Sequence, residues 1–152
     1  MKRFYELENV ITLKDVPSFG RTSLEAANTE NALSFSFKDA AFRGAVQLAG
    51  DWVEIRGNAQ TDGLALKFTV PESGAYQLVV RQAGIGGYKE NYLTLDGQAL
   101  DNLTVQGTDE EDTLAAELSL EEGEHTLDIT AFWGWVRLEK LTLIPIEKEE
   151  TA

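Results

Sequence analysis

The chain has 152 residues, 43% of them hydrophobic, enough for one domain with a continuous core and too few for two. Lysine and arginine number 13 against 26 aspartates and glutamates, and the net charge of −13 repels both a nucleic-acid backbone and an anionic membrane surface. No apolar run approaches the roughly 20 residues of a spanning helix, and the lack of cysteine excludes a disulfide framework, a thiolate metal site and a cysteine nucleophile. A soluble, monomeric, single-domain protein with no nucleic-acid or membrane partner is therefore expected.

The first residues, MKRFYELENV, carry two basic side chains but no apolar h-region or small-residue cleavage site, so they do not read as a signal peptide. Within them Glu6 and Glu8 sit at i and i+2 of a predicted strand. They point the same way about 6.5–7 Å apart, near enough to share one hard cation. An ordinary solvated acidic pair explains them equally. Residues 13–45 pattern weakly. TSLEAANTENAL, at 22–33, has helix-favouring composition without a sustained apolar stripe, and predicts a turn or two of helix or a loop.

Further along, DWVEIRG alternates and puts Trp52 on the parity of Glu54 and Arg56, as a surface ring or an end plug. LALKFTV places Leu64, Leu66, Phe68 and Val70 on one face; after the turn PESG, AYQLVV places Tyr76, Leu78 and Val80 on one face again, which predicts a hairpin. NYLTLDGQAL holds Asp96-Gly97, the dipeptide of a two-residue type I′ turn. Leu114, Ala116, Leu118 and Leu120 alternate next. A turn at 121–124 follows, and Leu127, Ile129 and Ala131 resume the pattern. His125, at the start of that strand, reads as a solvated histidine. Short strands recurring at this spacing predict an all-β, antiparallel sandwich or barrel.

The last segment, ITAFWGWVRLEKL, sets Trp133 and Trp135 either side of Gly134 at a strand-to-strand connection. Glu139 follows with the parity of Leu141 and Leu143, the apolar side of the final strand, where a carboxylate requires a partner. A bound cation meets that need, as does Lys140 or Arg137. The acidic stretch 146–152 is expected to be a frayed tail or linker start, leaving 1–145 as the folded unit.

Taken together, YELEN, ALKFTVPESGAYQLVVRQA, GGYKENYLTLDG and FWGWVRLEKLTL resemble, in order and spacing, a carbohydrate-binding module of families 6 and 35. The Gly-Tyr-Lys-Glu-Asn stretch resembles the mannan-binding members of family 35. This resemblance implies an all-β, antiparallel β-sandwich of jelly-roll type attached to a secreted glycoside hydrolase, a sugar site among loops at one end, and a structural calcium near the first and last strands. On this chain the calcium ligands of the family fall on Glu6, Glu8 and Glu139, the last in place of the family's usual aspartate. The implied ligand is β-mannan or galactomannan; uronic-acid binding is the alternative within the family.

Sugar rings pack axial C–H faces on aromatic planes and need donors and acceptors around their edges. Trp133 and Trp135 are candidate platforms, and the loop GIGGYKEN adds Tyr88 as a ring with Lys89, Glu90 and Asn91 as polar handles. Its Gly84, Gly86 and Gly87 allow close approach of the backbone to a ligand. Core packing is the competing account for one tryptophan, and a solvated pair for Lys89 and Glu90. Two other classes compete with a binding module. A glycosidase needs a second acid beside the tryptophans, where only Glu90 is evident. A sugar-silent spacer requires both tryptophans to be buried.

Overall fold

In the computed structural model, which describes residues 31–133 and 135–146, the alternating segments become strands that pair antiparallel throughout. They are β1 (Leu33–Ser36), β2 (Ala41–Arg43), β3 (Val46–Ala49), β4 (Trp52–Ile55), β5 (Gly63–Val70) and β6 (Gly74–Gly84). After these come β7 (Lys89–Leu95), β8 (Gln98–Ala99), β9 (Leu103–Val105), β10 (Glu111–Leu120), β11 (Gly123–Ala131) and β12 (Val136–Pro145). One sheet runs β9-β7-β11-β5-β2, with β8 added to β7. The other runs β10-β6-β12-β4-β3, with β1 added to β12. The fold is the expected all-β sandwich. Among the described residues, no helix is long and apolar enough to cross a membrane.

The core is built from the inward parities read in the sequence. Leu64, Leu66, Phe68 and Val70 of β5, and Leu127, Ile129 and Ala131 of β11, are buried in one cluster with Tyr76, Leu78 and Val80 of β6. Each such side chain contributes about 1.5–3 kcal/mol by leaving water, and together they fix which face of every strand points inward.

β5 and β6 are not a hairpin. They belong to different sheets, β5 between β11 and β2, β6 between β10 and β12. One-sided alternation reports only that a face is buried, and two facing strands of a sandwich show it as well as two neighbours do. The PESG segment is thus a corner between layers. The Tyr76 hydroxyl closes it by donating to the Glu72 carbonyl at 2.6 Å.

The Asp96-Gly97 turn is as expected: Leu95 pairs with Gln98, and both central residues have positive φ, 51° and 83°. Asp96 also reaches across to β11. Its Oδ1 accepts the Thr126 N–H at 2.8 Å, and its Oδ2 lies 2.6 Å from His125 Nδ1. His125 is therefore not the solvated residue expected. It is half-buried, stacked on Phe68 with centroids 5.7 Å apart, and its Nε2 lies 2.7 Å from the Glu121 carbonyl.

Both ring nitrogens face acceptors, an arrangement that only the imidazolium satisfies in full. The Glu121 carbonyl and the Asp96 carboxylate raise the His125 pKa above 6.5, against partial burial. Burial opposes ionisation of Asp96, but its bonds with His125 and the Thr126 N–H outweigh it and hold the pKa below 3.8. The His125 contribution is complete below about pH 6.5 and is lost as pH rises through the raised value. That of Asp96 is complete above about pH 3.8 and is lost as pH falls through the lowered one. The gap in thermal midpoint between wild type and His125→Gln should be widest near pH 5 and shrink above neutrality. A gap that stays constant from pH 5 to 9 counts against the pairing.

Candidate functional site

At one end of the sandwich the chain passes from β11 to β12 through Phe132–Trp135, crossing between sheets. Ala131 and Val136 on either side are fully buried, so the link is anchored in the core at both ends. Its backbone is tied to other segments as well. Ala131 N–H donates to the Asp62 carbonyl (2.9 Å), Trp133 N–H to the Glu90 carbonyl (2.9 Å), and Ile85 N–H to the Trp135 carbonyl (3.0 Å). Phe132 N–H donates to Asn91 Oδ1 at 3.0 Å. With the Phe132 and Trp133 N–H groups and the Trp135 carbonyl committed in this way, these three residues turn their rings outward from a bonded backbone.

Both tryptophans are open to solvent, Trp133 at 57% and Trp135 at 37%, and neither plugs the core. Tyr88 is 40% exposed and meets Trp133 edge to face, with centroids 5.7 Å apart and planes at 70°. Phe132, also exposed, leans on Tyr92 at 5.1 Å. Trp135 has the Arg56 guanidinium 5.2 Å from its ring centre. The structure thus brings Tyr88, Trp133 and Trp135 to one end of the sandwich, as the sequence suggested, and adds Phe132 and Arg56.

The polar handles divide by environment. Lys89 and Glu90 open β7 opposite Val105 and Thr104 and remain partly exposed; Glu90 Oε2 accepts from Asn102 Nδ2 at 2.7 Å. Asn91 is only 1% exposed, and its side chain holds the tryptophan link through the Phe132 N–H. Gly84 has a structural reason to be glycine. A Cβ there would collide with the carbonyl oxygens of Gly87 and Gly107, and its N–H donates to the latter at 2.7 Å. Gly86 and Gly87, by contrast, have open space where a side chain would stand, and positive φ.

Behind Trp135 lies a charged network that the alternation of DWVEIRG had placed on one face without joining it to the site. Glu54, 7% exposed, accepts from Arg56 Nε at 2.7 Å and Gln47 Nε2 at 3.3 Å, and its other oxygen is 3.7 Å from Arg137 Nε. The bond from Arg56 keeps the Glu54 carboxyl below its ordinary pKa despite burial, with the charge of Arg56, then Gln47 and the charge of Arg137 helping. Glu54 is therefore an anion at neutral pH that fixes Arg56 beside the ring. Sequence reasoning recorded the shared parity of Trp52, Glu54 and Arg56; the register of β4 on β12 was needed to bring Trp135 to them.

The carbohydrate binding module (family 35) model matches residues 25–146 of the chain. The chain belongs to carbohydrate-binding module family 35. Members of this family are non-catalytic and bind carbohydrate, so exposed aromatic residues at a sandwich end have a functional context that a spacer lacks. A mannan endo-1,4-beta-mannosidase of Thermothelomyces thermophilus is 28% identical over 130 residues, 85% of the module and 26% of the relative. Mannan endo-1,4-beta-mannosidase B of Piromyces sp is 28% identical over 90 residues, 57% of the module and 16% of the relative. The module thus spans 26% and 16% of the length of these two curated relatives. In fold it is similar to the Podospora anserina GH26-CBM35 beta-(1,4)-mannanase, with TM-score 0.67, 21% identity, and 79% and 29% of the two chains covered. It is also similar to the mannan binding module from Man5C, with TM-score 0.65, 20% identity, and 76% and 99% covered. A third similar structure is a CBM36 module in complex with calcium and xylotriose, with TM-score 0.55, 12% identity, and 74% and 98% covered.

Of the metal candidates in this module, Glu6 and Glu8 lie outside the described residues. Glu139 does not take the core-facing parity expected. A bulge between Leu138 and Lys140 resets the alternation, so Leu138, Leu141 and Leu143 point inward while Glu139 stays partly exposed. Its counter-ion is Arg81, whose Nε lies 3.2 Å away, rather than Lys140 or Arg137. Arg81 also holds Glu110 at 2.8 Å and Asp112 at 3.2 Å. Among the described residues, no group of three or more Asp, Glu or His side chains is arranged to hold a metal ion. Glu139 fits a cation only as one carboxylate added to ligands from elsewhere in the chain.

Proposed function

We propose that the module binds β-mannan or galactomannan through Trp133, Trp135 and Tyr88, with Lys89 and Glu90 at the rim and Asn91 fixing the loop. The observation that carries this reading is the exposed Trp133–Tyr88 pair on a link whose backbone is bonded to its neighbours. Large rings held open at a fixed angle are costly to leave in water and suited to the C–H faces of sugars. The mannanases among its relatives support mannan as the polysaccharide. In the reading proposed, residues 1–145 form a secreted monomeric module. It keeps an attached glycoside hydrolase close to insoluble substrate, raising effective concentration through the linker.

Affinity gels of mannan, galactomannan, xylan, glucuronan and cellulose test this directly. Retardation on the two mannan gels is expected, and with a neutral ligand it should change little between low and high salt. The cations near the site are largely matched already, Arg56 by Glu54 and Arg43 by Asp128 at 3.6 Å. Retardation on glucuronan that collapses with salt would reassign the ligand to a uronate, and no retardation on any gel would leave a spacer.

A structural calcium held by Glu6, Glu8 and Glu139 belongs to the same proposal. An ion bound only by the folded state stabilises it by about 2.7 kcal/mol at a hundred times its Kd. Exhaustive chelation should therefore lower the thermal midpoint, and calcium should restore it. An unchanged midpoint removes the metal from the reading.

A further inference from the structure

The outer face of the second sheet carries a strip that the loop-end site does not use. Val53, Ile55, Val136 and Leu138 are fully buried, so alternation turns Trp52 and Glu54 of β4, Arg56 just after it, and Arg137 of β12 to the other face. Register then sets Gln47, Glu54 and Arg137 in one row across β3, β4 and β12. Arg137 lies over the Trp52 ring, its guanidinium carbon 4.7 Å from the centroid. Arg56 stands in the same relation to Trp135.

Arg137 is the unusual member. Its side chain is 34% exposed, and its Nε is buried with no hydrogen-bond partner among the described residues. Its one ion pair among the described residues is the 3.7 Å approach to Glu54 Oε2, and the other oxygen of that carboxylate is taken by Arg56 and Gln47. A guanidinium has five donors in a planar fork, and a network built only for stability would bond them. Here the guanidinium stands over an indole and its side chain stays partly open. An aromatic plane beside in-plane donors is the combination that takes the C–H face and the hydroxyls of a sugar. Glu54 offsets one of the two arginines, so the strip lacks the concentrated positive charge that a polyanion would demand.

We propose that Trp52 and Arg137, with Gln47 beside them, form a second contact strip for a neutral polysaccharide. One sugar chain would run from the loop end across Trp135 and Arg56 onto the sheet face. The proposal rests on the sugar-binding reading above and extends it to residues outside the loops. Continuity comes from Trp135, which joins the loop cluster at its backbone and the arginine network at its ring. Arg56, just past the end of β4, stands beside the Trp135 ring, and Trp52 lies four residues back along the chain from Arg56, about 13 Å away in extended backbone. A short oligosaccharide at Trp133 falls short of Trp52, whereas a longer chain reaches both.

The test uses the three tryptophan indole N–H resonances in nitrogen-15 NMR spectra, assigned with Trp52→Phe, Trp133→Phe and Trp135→Phe, during titration with β-1,4-mannobiose, β-1,4-mannohexaose and soluble galactomannan. The Trp52 resonance is expected to move with hexaose and galactomannan and to stay still with mannobiose. Trp52→Ala and Arg137→Lys should each weaken galactomannan retention about three- to tenfold, with unchanged mannobiose shifts at Trp133 reporting an intact fold. Movement of Trp133 with Trp52 silent throughout overturns the strip and leaves the mannan reading standing. Silence of all three resonances overturns both. Wild-type retention by Arg137→Lys overturns the role of the guanidinium fork.

Discussion

Trp133→Ala is expected to lose retention on mannan gels while keeping the denaturant midpoint of the wild type. Trp133 is more than half exposed, and its one aromatic neighbour among the described residues is Tyr88, itself 40% exposed. Folding therefore gains little from it, and truncation should cost no more than about 0.5 kcal/mol, as at other surface positions. The bond from the Trp133 N–H to the Glu90 carbonyl belongs to the backbone and survives the substitution. For binding, an aromatic platform is the type of residue that dominates an interface. Its loss should cost about 2 kcal/mol or more, roughly thirtyfold in affinity. Tyr88→Ala should weaken binding by less, because it removes the smaller ring and the edge contact that orients Trp133.

Trp135→Ala should behave differently. Its ring is more covered and shares a cation–π contact with Arg56, so stability should fall by about 0.5–1 kcal/mol alongside a smaller loss of affinity. Retention of full mannan affinity by both tryptophan variants would place the sugar site elsewhere on the module.

What the sequence made legible were properties that a single strand carries. Alternation fixed the inward faces of β5, β6 and β11, and the Asp96-Gly97 pair fixed its own turn through positive φ. Properties that depend on a partner were silent. The assignment of β5 and β6 to different sheets leaves no trace in either strand's pattern. The partners His125 and Asp96 lie 29 residues apart, and nothing local to either predicts the pair. At Glu139 the parity argument failed because one bulge shifts every residue after it to the opposite face.

Two inward polar residues carry a pattern that could have been read, among them Asn91, which the loop GIGGYKEN offered as a ligand handle instead. Asn91 shares the parity of Leu93 and Leu95, and Gln82 that of Leu78 and Val80; all six are buried. A polar side chain in an apolar row must find a local partner. Asn91 accepts the Phe132 N–H, and Gln82 Nε2 donates to the Thr104 carbonyl and Thr113 Oγ1, both at 2.9 Å. The candidate site is thus supported from beneath by residues whose pattern marked them as structural, while its exposed rings break the alternation.

Gly84→Ala is expected to damage folding and binding together, and its neighbour across the gap supplies the control. Gly84 ends β6, where the loop bearing Tyr88 begins and where the segment at Gly107 passes alongside. A methyl group there would overlap the Gly87 and Gly107 carbonyl oxygens. Both obstacles are backbone, so no rotamer change relieves them and the two loops must move apart. That displacement also stretches the 2.7 Å bond from the Gly84 N–H to the Gly107 carbonyl. Overpacking of this kind costs about 1–3 kcal/mol, and each kcal/mol lowers the midpoint by about 2–4 °C in a domain of this size. Because the displaced loop carries Tyr88 against Trp133, mannan retention should fall as well, even at temperatures where the variant is folded. Gly107→Ala meets no atom of the described residues within 4 Å and should leave both measurements near wild type. A Gly84→Ala protein that melts and binds like Gly107→Ala would show that the loop junction has room the structure does not allow it.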